Sequence, residues 1–180
     1  MKVYSFIGPI ASGKTTMIES IQKNIVKLDE NYIELDKYNI DNRLIISKWA
    51  FINSWFQRIL ECNFNNISSV VTDRCPYDAI PYAKMGTYLF NAINESFKEL
   101  ENIGIDIKII YIRSDISIIQ DRVELRIKDD IRRNNYHELD IMYLQKTIYF
   151  YESNIDMWHE VITNNTNLQY ALDKINKIVI

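Results

Sequence analysis

The apolar residues of this chain follow two alternating patterns. Five short, nearly continuous apolar runs predict buried strands, and the stretches between them, where apolar residues recur at helical spacing, predict helices with one apolar face. The predicted strands are 3–7, 31–35, 68–72, 106–112 and 160–163. The predicted helices are 14–26, 42–62, 79–85, 88–102, 117–128, 137–157 and 168–175.

Strands and helices alternate along the whole sequence, and the strands are apolar on both faces. This order is typical of an α/β fold with three layers, in which helices cover both faces of a parallel sheet. A chain of 180 residues can form one sizeable hydrophobic core, and no linker, internal repeat or low-complexity segment divides the sequence. We therefore predict a single domain over residues 1–180.

Composition and charge exclude several classes of protein. The formal net charge is -3, so there is no basic excess with which to bind a long nucleic acid. No apolar run approaches the roughly 20 residues that cross a bilayer, and the first strand begins too early to leave room for a signal peptide. Cys62 and Cys75 do not form a disulfide framework. These features predict a cytoplasmic protein that binds neither a membrane nor a long nucleic acid.

The strongest motif lies between the first strand and the first helix. Residues 8–15 read GPIASGKT and match the pattern G-x-x-x-x-G-K-[ST] of phosphate-binding loops. In such a loop, backbone N–H groups and the positive end of the following helix attract the phosphates of a nucleoside triphosphate. Lys14 would contact the outer phosphates, and the Thr15 hydroxyl would coordinate Mg²⁺. Switches, motors and kinases all share this motif, so it predicts the ligand and not the reaction.

An acidic and a basic residue follow the third predicted strand directly. Asp73 and Arg74 come after the run SSVVT, at the edge of a parallel sheet where ligands bind. Asp73 is suited to hold Mg²⁺, directly or through water. A switch or a motor has no evident use for Arg74, whereas a kinase must hold an acceptor in line with the γ-phosphate. The alternative is an ion pair at a strand end, but next to a phosphate loop the two residues favour a kinase.

Two carboxylates close the second predicted strand. Glu34 and Asp36 share one face of the extended run YIELD, because side chains alternate along a strand. Either carboxylate could orient or deprotonate an acceptor hydroxyl, or could cap a helix or face solvent instead. Asp36 lies nearer to the strand end and is the predicted base.

Arginines are concentrated after the fourth predicted strand. Arg122 and Arg126 are four positions apart and share a helix face, and Arg132 and Arg133 follow them. Guanidinium groups suit phosphate oxygens, and a segment that closes over a transferring phosphate excludes water. We predict a lid over about residues 122–136. Because carboxylates are interleaved with these arginines, an exposed helix with salt bridges is the alternative.

Several other residues have both a structural and a functional interpretation. Trp55 and Tyr82 could stack on a nucleobase, although aromatic residues on helices more often belong to a core. Cys75 lies beside an arginine that could lower its pKa, or it is a small buried residue. Asn164 and Asn165 follow the last strand, where the adenine of a donor would pass, or they form a simple turn.

Together these motifs resemble the deoxynucleoside kinase family, within the wider group of nucleoside and nucleoside-monophosphate kinases. The resemblance covers most of the chain. It begins with the phosphate loop and with the carboxylate of Asp36 after the second strand. Three further stretches carry it: Lys48-Trp-Ala-Phe51 in a substrate helix, Asp73-Arg-Cys-Pro-Tyr77 as a D/E-R-S-x-Y motif, and Arg122-Val-Glu-Leu-Arg126 as a lid.

The family transfers phosphate from ATP, with Mg²⁺, to the 5′-hydroxyl of a deoxynucleoside. The resemblance implies a P-loop fold with strand order 2-3-1-4-5 and a small-molecule nucleoside partner. It implies Asp36 as base, Arg74 beside the acceptor and Arg126 with Arg132 or Arg133 at the γ-phosphate. The residues that would bind ATP are Gly8, Ala11, Ser12, Gly13, Lys14, Thr15, Thr16 and Arg122. Those that would bind the acceptor are Asp36, Trp55, Arg74 and Tyr82.

Two other functions stay open. Thymidylate kinases also resemble this chain through the pair Asp73-Arg74, and in them the arginine holds a monophosphate. A regulatory module that binds a nucleoside triphosphate and hydrolyses it slowly is the second alternative. Asn53 and Ser54 stand where the substrate helix of the family carries a glutamine that reads the base. The resemblance therefore predicts a nucleoside or nucleotide substrate but does not predict which base it carries. The aromatic helix at 42–62 would suit helix pairing across the two-fold axis of a homodimer.

Overall fold

One parallel sheet organises the computed structural model, which describes residues 1–30, 41, 43–129, 138–165 and 168–179. In that part of the chain the strands are β1 (Lys2–Ile7), β2 (Val26–Leu28), β3 (Ser69–Asp73), β4 (Asp106–Arg113) and β5 (Glu160–Thr163). They are hydrogen-bonded in the order β2-β3-β1-β4-β5. The predicted α/β fold and the strand order implied by the family resemblance are confirmed.

Helices connect the strands and lie on both faces of the sheet. Within the described residues, no helix is both long and apolar enough to cross a bilayer. Short 3₁₀ turns lie at 76–78, 86–89 and 155–157. The α-helices are α1 (Lys14–Glu19), α2 (Ile45–Phe64), α3 (Ala79–Tyr82), α4 (Phe90–Asn102), α5 (Ile116–Asp129), α6 (Ile141–Ser153) and α7 (Leu168–Ile178).

The second strand differs from the prediction. The sequence predicted a helix over 14–26 and then a strand at 31–35, but the helix is only 6 residues long and the strand begins at Val26. Ser20 follows the last residue of the helix, and both its N–H, at 3.2 Å, and its Oγ, at 2.7 Å, donate to the Thr16 carbonyl oxygen. The β-branched side chain of Val26 then favours extended backbone. The predicted strand at 31–35 lies outside the described residues.

The chain divides into two compact units. The first unit comprises residues 1–7 and 23–109, and the second comprises residues 8–22 and 110–180. Each unit contains one part of the chemistry that the sequence predicts: the Asp73-Arg74 pair belongs to the first, and the phosphate loop belongs to the second. The single domain over residues 1–180 stays a prediction.

In the first unit, β3 pairs in parallel with β1 on one side and with β2 on the other. Phe6 lies opposite Asp73, and Leu28 lies opposite Thr72. The buried hydroxyls of Thr72 and Ser5 are hydrogen-bonded to each other at 2.9 Å. Because the strands end at nearly the same level, the residues that follow β2 and β3 become neighbours at one edge.

An aromatic cluster fixes α2 against α4 in the first unit. Trp55 stacks on Phe97 with ring centroids 5.5 Å apart and an angle of 14° between the planes. Phe56 contacts Phe97 edge-on at 5.9 Å, and Tyr77 of the 3₁₀ turn contacts it at 5.0 Å. Phe97 is only 6% exposed, so this ring joins α2, the turn after β3 and α4.

The second unit anchors the loop that follows β1. Ile10 and Ala11 of this loop pack against a buried cluster shared by α5 and α6. β4 and β5 pair in parallel, with Ile110 opposite Glu160. The loop is therefore supported by helix packing as well as by its own backbone. The cluster consists of Ile119, Val123 and Leu144.

The outer face of α2 carries exposed apolar side chains. Ile46 is 68% exposed, Leu60 is 46% exposed and Phe64 is 85% exposed. Their spacing places them along one side of the helix. A homodimer formed through α2 stays a prediction.

Phe97→Ala should lower the free energy of unfolding by about 3 kcal/mol, because it removes a buried ring and leaves a cavity among three aromatic side chains. Urea denaturation followed by circular dichroism measures the change. Tyr88→Ala is the control, since Tyr88 is 71% exposed and its loss should change stability by less than about 0.5 kcal/mol. Similar losses for both variants would show that the aromatic cluster does not stabilise the unit.

Candidate functional site

The predicted phosphate loop follows β1 and leads into α1. Its backbone has positive φ angles at Gly8 (144°), Ala11 (56°) and Gly13 (97°), a region that favours glycine and strains alanine. The N–H of Ser12 donates to the carbonyl oxygen of Pro9 at 3.3 Å and closes a turn. The residues of the motif therefore fold into the tight loop that the sequence predicted.

Both glycines of the motif are required by space as well as by φ. A Cβ atom at Gly8 would lie 2.6 Å from the carbonyl oxygen of Ile112, and one at Gly13 would lie 2.3 Å from Nδ2 of Asn164. Ile112 contributes strand backbone, and Asn164 is buried and donates a 2.7 Å hydrogen bond to the carbonyl oxygen of Ser12. The absent side chains therefore let the loop rest directly on β4 and on the residue after β5.

Lys14 turns its ammonium group into the loop. Nζ donates to the carbonyl oxygens of Gly8 at 2.9 Å and Pro9 at 2.8 Å, and to Oγ of Ser12 at 3.4 Å. The residue is only 5% exposed. An ammonium group that binds these oxygens is suited to exchange them for phosphate oxygens, because both are hydrogen-bond acceptors.

Arg122 ties the loop to two other segments of the second unit. Its Nη1 donates to the carbonyl oxygens of Ala11 and Ser12, each at 3.3 Å, and its Nη2 donates to that of Asn164 at 3.0 Å. Burial lowers the pKa of this guanidinium below its ordinary value. Arg122 thus connects α5, the loop and the residue after β5, and its predicted position beside a donor base stays a prediction.

The structure describes only some of the other residues predicted to contact ATP. Arg126 lies one turn after Arg122 on α5, as the helical spacing predicted. It is half-buried. Thr15 and Thr16 lie exposed in the first turn of α1. Residues 130–136 of the predicted lid, with Arg132 and Arg133, and the predicted base Asp36 lie outside the described residues.

Arg74 follows β3 with a left-handed φ of 72°, which is rare for a residue other than glycine. Its N–H donates to the carbonyl oxygen of Phe6 at 2.9 Å, and its own carbonyl oxygen accepts a 2.8 Å hydrogen bond from Oγ1 of Thr72. These two bonds hold the strained backbone. The residue is 7% exposed, so its guanidinium must find partners inside the protein.

Two carboxylates meet that guanidinium. Glu30, shortly after β2, accepts a hydrogen bond from Nε of Arg74, and Asp78 accepts one from Nη1 at 3.4 Å. Asp78 is fixed in turn, because its Oδ2 accepts a 3.0 Å hydrogen bond from the N–H of Cys75. The Asp78 side chain is 1% exposed, whereas that of Glu30 is 28% exposed. Glu30 is therefore the carboxylate of this pair that a ligand can reach from solvent.

A second cation lies in the same place. Lys48, in the first turn of α2, has its Nζ 6.0 Å from the centroid of the Tyr82 ring, and the guanidinium of Arg74 lies 5.2 Å from the same centroid. Burial, and then repulsion by Arg74, lower the pKa of Lys48 to about 8. Burial also raises the pKa of Tyr82. We call Glu30, Lys48, Arg74, Asp78 and Tyr82 the arginine cluster.

Trp55 and Cys75 belong to the packed interior. Trp55 is 5% exposed and one face of its ring is covered by Phe97. A base could stack on that face only after displacing Phe97, and such stacking stays a prediction for Trp55 as for Tyr82. Burial raises the pKa of the Cys75 thiol well above its ordinary value, so the alternative of a lowered pKa is wrong.

Sequence reasoning missed three members of the arginine cluster. Glu30 was overlooked because the sequence predicted a helix over 14–26 and then no strand before residue 31, whereas Val26–Leu28 form β2. Asp78 lies four positions after Arg74, a spacing that is common for ion pairs within helical turns and was a usable signal. Lys48 gave no signal beyond its helical position, because its burial depends on tertiary packing.

Thr15 and Asp73 are the predicted ligands of Mg²⁺. Among the described residues, no three side chains of His, Cys, Asp or Glu are grouped so as to hold a metal ion. Mg²⁺ is typically held by one or two carboxylates together with substrate phosphates and water, so one carboxylate and one hydroxyl are a sufficient set of protein ligands. The assignment of Thr15 and Asp73 stays a prediction.

The fold has close counterparts among solved structures. A structure of deoxyadenosine kinase from M. mycoides with the products dCMP and a flexible dCDP bound has a TM-score of 0.61 and 15% identity, over 99% of this chain and 98% of that chain. A structure of deoxyadenosine kinase from M. mycoides with bound dATP has a TM-score of 0.63 and 16% identity, over 99% of both chains. The chain has the fold of these kinases. No family model and no curated protein matches its sequence.

Gly13→Ala should destabilise the protein more than Gly104→Ala does. The two glycines have similar φ angles, 97° and 82°, so an alanine costs about 1 kcal/mol at either position. Only at Gly13 does the new Cβ collide with a neighbour, whereas at Gly104 it meets nothing within 4 Å. Urea denaturation should show an additional loss of about 1 to 2 kcal/mol at Gly13. In an Asn164→Ala background that additional loss should shrink, and an unchanged loss would contradict the collision.

Lys48→Met should change how stability depends on pH. The pKa of Lys48 is about 8 in the folded protein against an ordinary value of 10.5, so the unfolded chain keeps the proton between these values after the folded protein has lost it. The Lys48 contribution therefore makes the folded state more stable as pH rises, by about 1 kcal/mol between pH 7 and pH 9. Urea denaturation at both values should show this gain in the wild type and not in Lys48→Met. Lys98→Met, at an exposed position, should keep the wild-type gain.

Proposed function

We propose that this chain is a kinase that transfers phosphate from ATP, with Mg²⁺, to the 5′-hydroxyl of a deoxynucleoside. The observation that carries the proposal is the ion pair between Glu30 and Arg74, at the carboxyl ends of the neighbouring strands β2 and β3. Ligands of parallel sheets bind at this edge. At this edge, phosphoryl transfer needs a carboxylate that orients the acceptor hydroxyl and cations that neutralise the charge of the phosphates.

Residues 8–15 would hold the donor. The loop N–H groups and Lys14 would bind phosphate oxygens, and Thr15 and Asp73 would hold Mg²⁺, which supplies charge neutralisation on the phosphates when bound. Two features of the loop support this role. No Cβ occupies the space at Gly8 and Gly13, and Lys14 already donates to three oxygen atoms.

Glu30 would act on the acceptor. Its carboxylate would orient the hydroxyl and take its proton while the oxygen forms a bond to the γ-phosphorus of ATP; the bond from that phosphorus to the bridging oxygen breaks and ADP leaves. Arg74 holds that carboxylate in place through Nε, and Asp78 holds Arg74 from the other side. Asp36, the base that the sequence predicted, is the alternative and lies six positions further along the chain.

A neutral acceptor suits the arginine cluster better than a monophosphate does. The positive charges of Lys48 and Arg74 are balanced within the cluster by the carboxylates of Glu30 and Asp78. A thymidylate-kinase-like enzyme would need its arginine for the phosphate of the acceptor, whereas Arg74 already contacts two carboxylates. This charge balance favours a nucleoside over a nucleotide as the acceptor.

The fold comparison supports the same class of ligand. The M. mycoides structures carry dCMP with dCDP in one case and dATP in the other, and they match this chain over nearly its whole length. We infer that this chain also acts on nucleosides and nucleotides, with a small-molecule acceptor and ATP as donor.

ADP release from Mg-ATP in the presence of the common nucleosides and their monophosphates tests the proposal. We expect one or more nucleosides to stimulate release. Stimulation by a monophosphate alone would overturn the proposal and favour a thymidylate-kinase-like enzyme. No stimulation, with ATP shown to bind by calorimetry, would favour the regulatory module.

Glu30→Gln should lower kcat by about 100-fold or more, because an amide cannot take the proton of the hydroxyl. Asp36→Asn is the matched variant and should keep most of the activity. Arg74→Ala should lower acceptor-dependent turnover by about the same factor as Glu30→Gln while ATP binding persists. Steady-state kinetics of the three variants, with folding checked by circular dichroism, decide between the two bases. Loss of activity in Asp36→Asn but not in Glu30→Gln would show that Asp36, and not Glu30, takes the proton of the acceptor hydroxyl.

A further inference from the structure

Lys48 is a buried cation that contacts the Tyr82 ring but has no hydrogen-bond acceptor among the described residues. It is 6% exposed, and its ammonium group makes no hydrogen bond or ion pair with any described residue. Its surroundings are otherwise well paired. Arg74 contacts Glu30 and Asp78, and Asp41 is held by other basic side chains, among them Lys84 at 2.6 Å.

An unpaired ammonium group in this position is unfavourable for folding. Burial removes water from three N–H donors, and the nearby guanidinium of Arg74 adds repulsion. An apolar side chain of similar length would avoid both effects and could cover the Tyr82 ring equally well. A group of this kind is useful when a ligand supplies the missing hydrogen-bond acceptor.

The charges around Lys48 indicate what kind of acceptor atom is missing. The charges of Lys48 and Arg74 are already matched by those of Glu30 and Asp78. The cluster therefore lacks a hydrogen-bond acceptor and not a counter-charge. A neutral oxygen supplies the acceptor without disturbing this balance, whereas a phosphate would add negative charge beside two carboxylates.

We propose that Lys48 is a specificity-determining residue whose Nζ donates a hydrogen bond to a neutral oxygen of the bound nucleoside. A sugar hydroxyl and a base carbonyl both offer this chemistry. The inference rests on the proposed function, and it adds a contact that does not involve the hydroxyl that receives the phosphate. Because the contact concerns binding, Lys48→Met should raise KM much more than it lowers kcat.

The test combines one protein change with one ligand change. The wild type and Lys48→Met are compared for the nucleoside that gives the highest turnover and for its 2′,3′-dideoxy analogue. Where the base has a carbonyl, an analogue with hydrogen in place of that oxygen is added. The wild type should lose about 10- to 100-fold in kcat/KM with one of these analogues, the range expected for a hydrogen bond from a charged donor. Lys48→Met should lose less than about 3-fold with the same analogue.

Controls separate this inference from the proposed function. Calorimetric titration of the wild type with the nucleoside tests the proposed function, which fails if no nucleoside binds. If a nucleoside binds, and Lys48→Met discriminates against both analogues as strongly as the wild type does, the role of Lys48 is overturned. A loss in Lys48→Met confined to monophosphates would also overturn it, since the partner would then be an anion. Lys48→Arg should keep part of the discrimination, and the exposed-site variant Lys98→Met should behave as the wild type.

Discussion

The first unit depends on the contacts of one guanidinium group. Arg74 is almost fully buried, and its charge is acceptable there because Glu30 and Asp78 accept hydrogen bonds from it. These contacts join the ends of β2 and β3 to the turn that follows β3. Removal of Arg74 would leave the buried carboxylate of Asp78 without this guanidinium, so substitutions within the arginine cluster are not expected to have additive effects on stability.

In the second unit, the buried polar groups of the phosphate loop also need hydrogen-bond partners. A tight loop of this kind presents N–H groups and a buried lysine, and these need hydrogen-bond acceptors. Here Lys14 donates to carbonyl oxygens of the loop itself, and Arg122 donates to two further loop carbonyls. The helix after the loop has only 6 residues, so its dipole is small. The backbone N–H groups of the loop and the ammonium group of Lys14 would therefore contribute more than the helix dipole to the attraction of an anion. The loop therefore holds its shape through contacts that phosphate oxygens can replace.

The sequence predicted the fold class, the phosphate loop and most elements, because these depend on local patterns. The strand at 160–163 has its predicted bounds, since it is a short apolar run between clear breaks. The helix predicted over 14–26 was wrong, because α1 ends at Glu19 and residues 26–28 form β2, which the apolar spacing does not reveal. Because no second strand was predicted before residue 31, Glu30 was not considered beside Asp36. The left-handed φ of Arg74 and the burial of Lys48 arise from tertiary contacts, and no local pattern encodes them.

The features that local rules did not predict lie together in the arginine cluster. A non-glycine residue with φ of 72°, a buried guanidinium and a buried ammonium group are each unfavourable for folding when considered alone. Such departures tend to persist where function requires them, because a stabler apolar solution would abolish binding. The phosphate loop is strained in the same way at Ala11. Strained backbone therefore occurs in the arginine cluster and in the phosphate loop, while the strands that support them follow the ordinary rules of a parallel sheet.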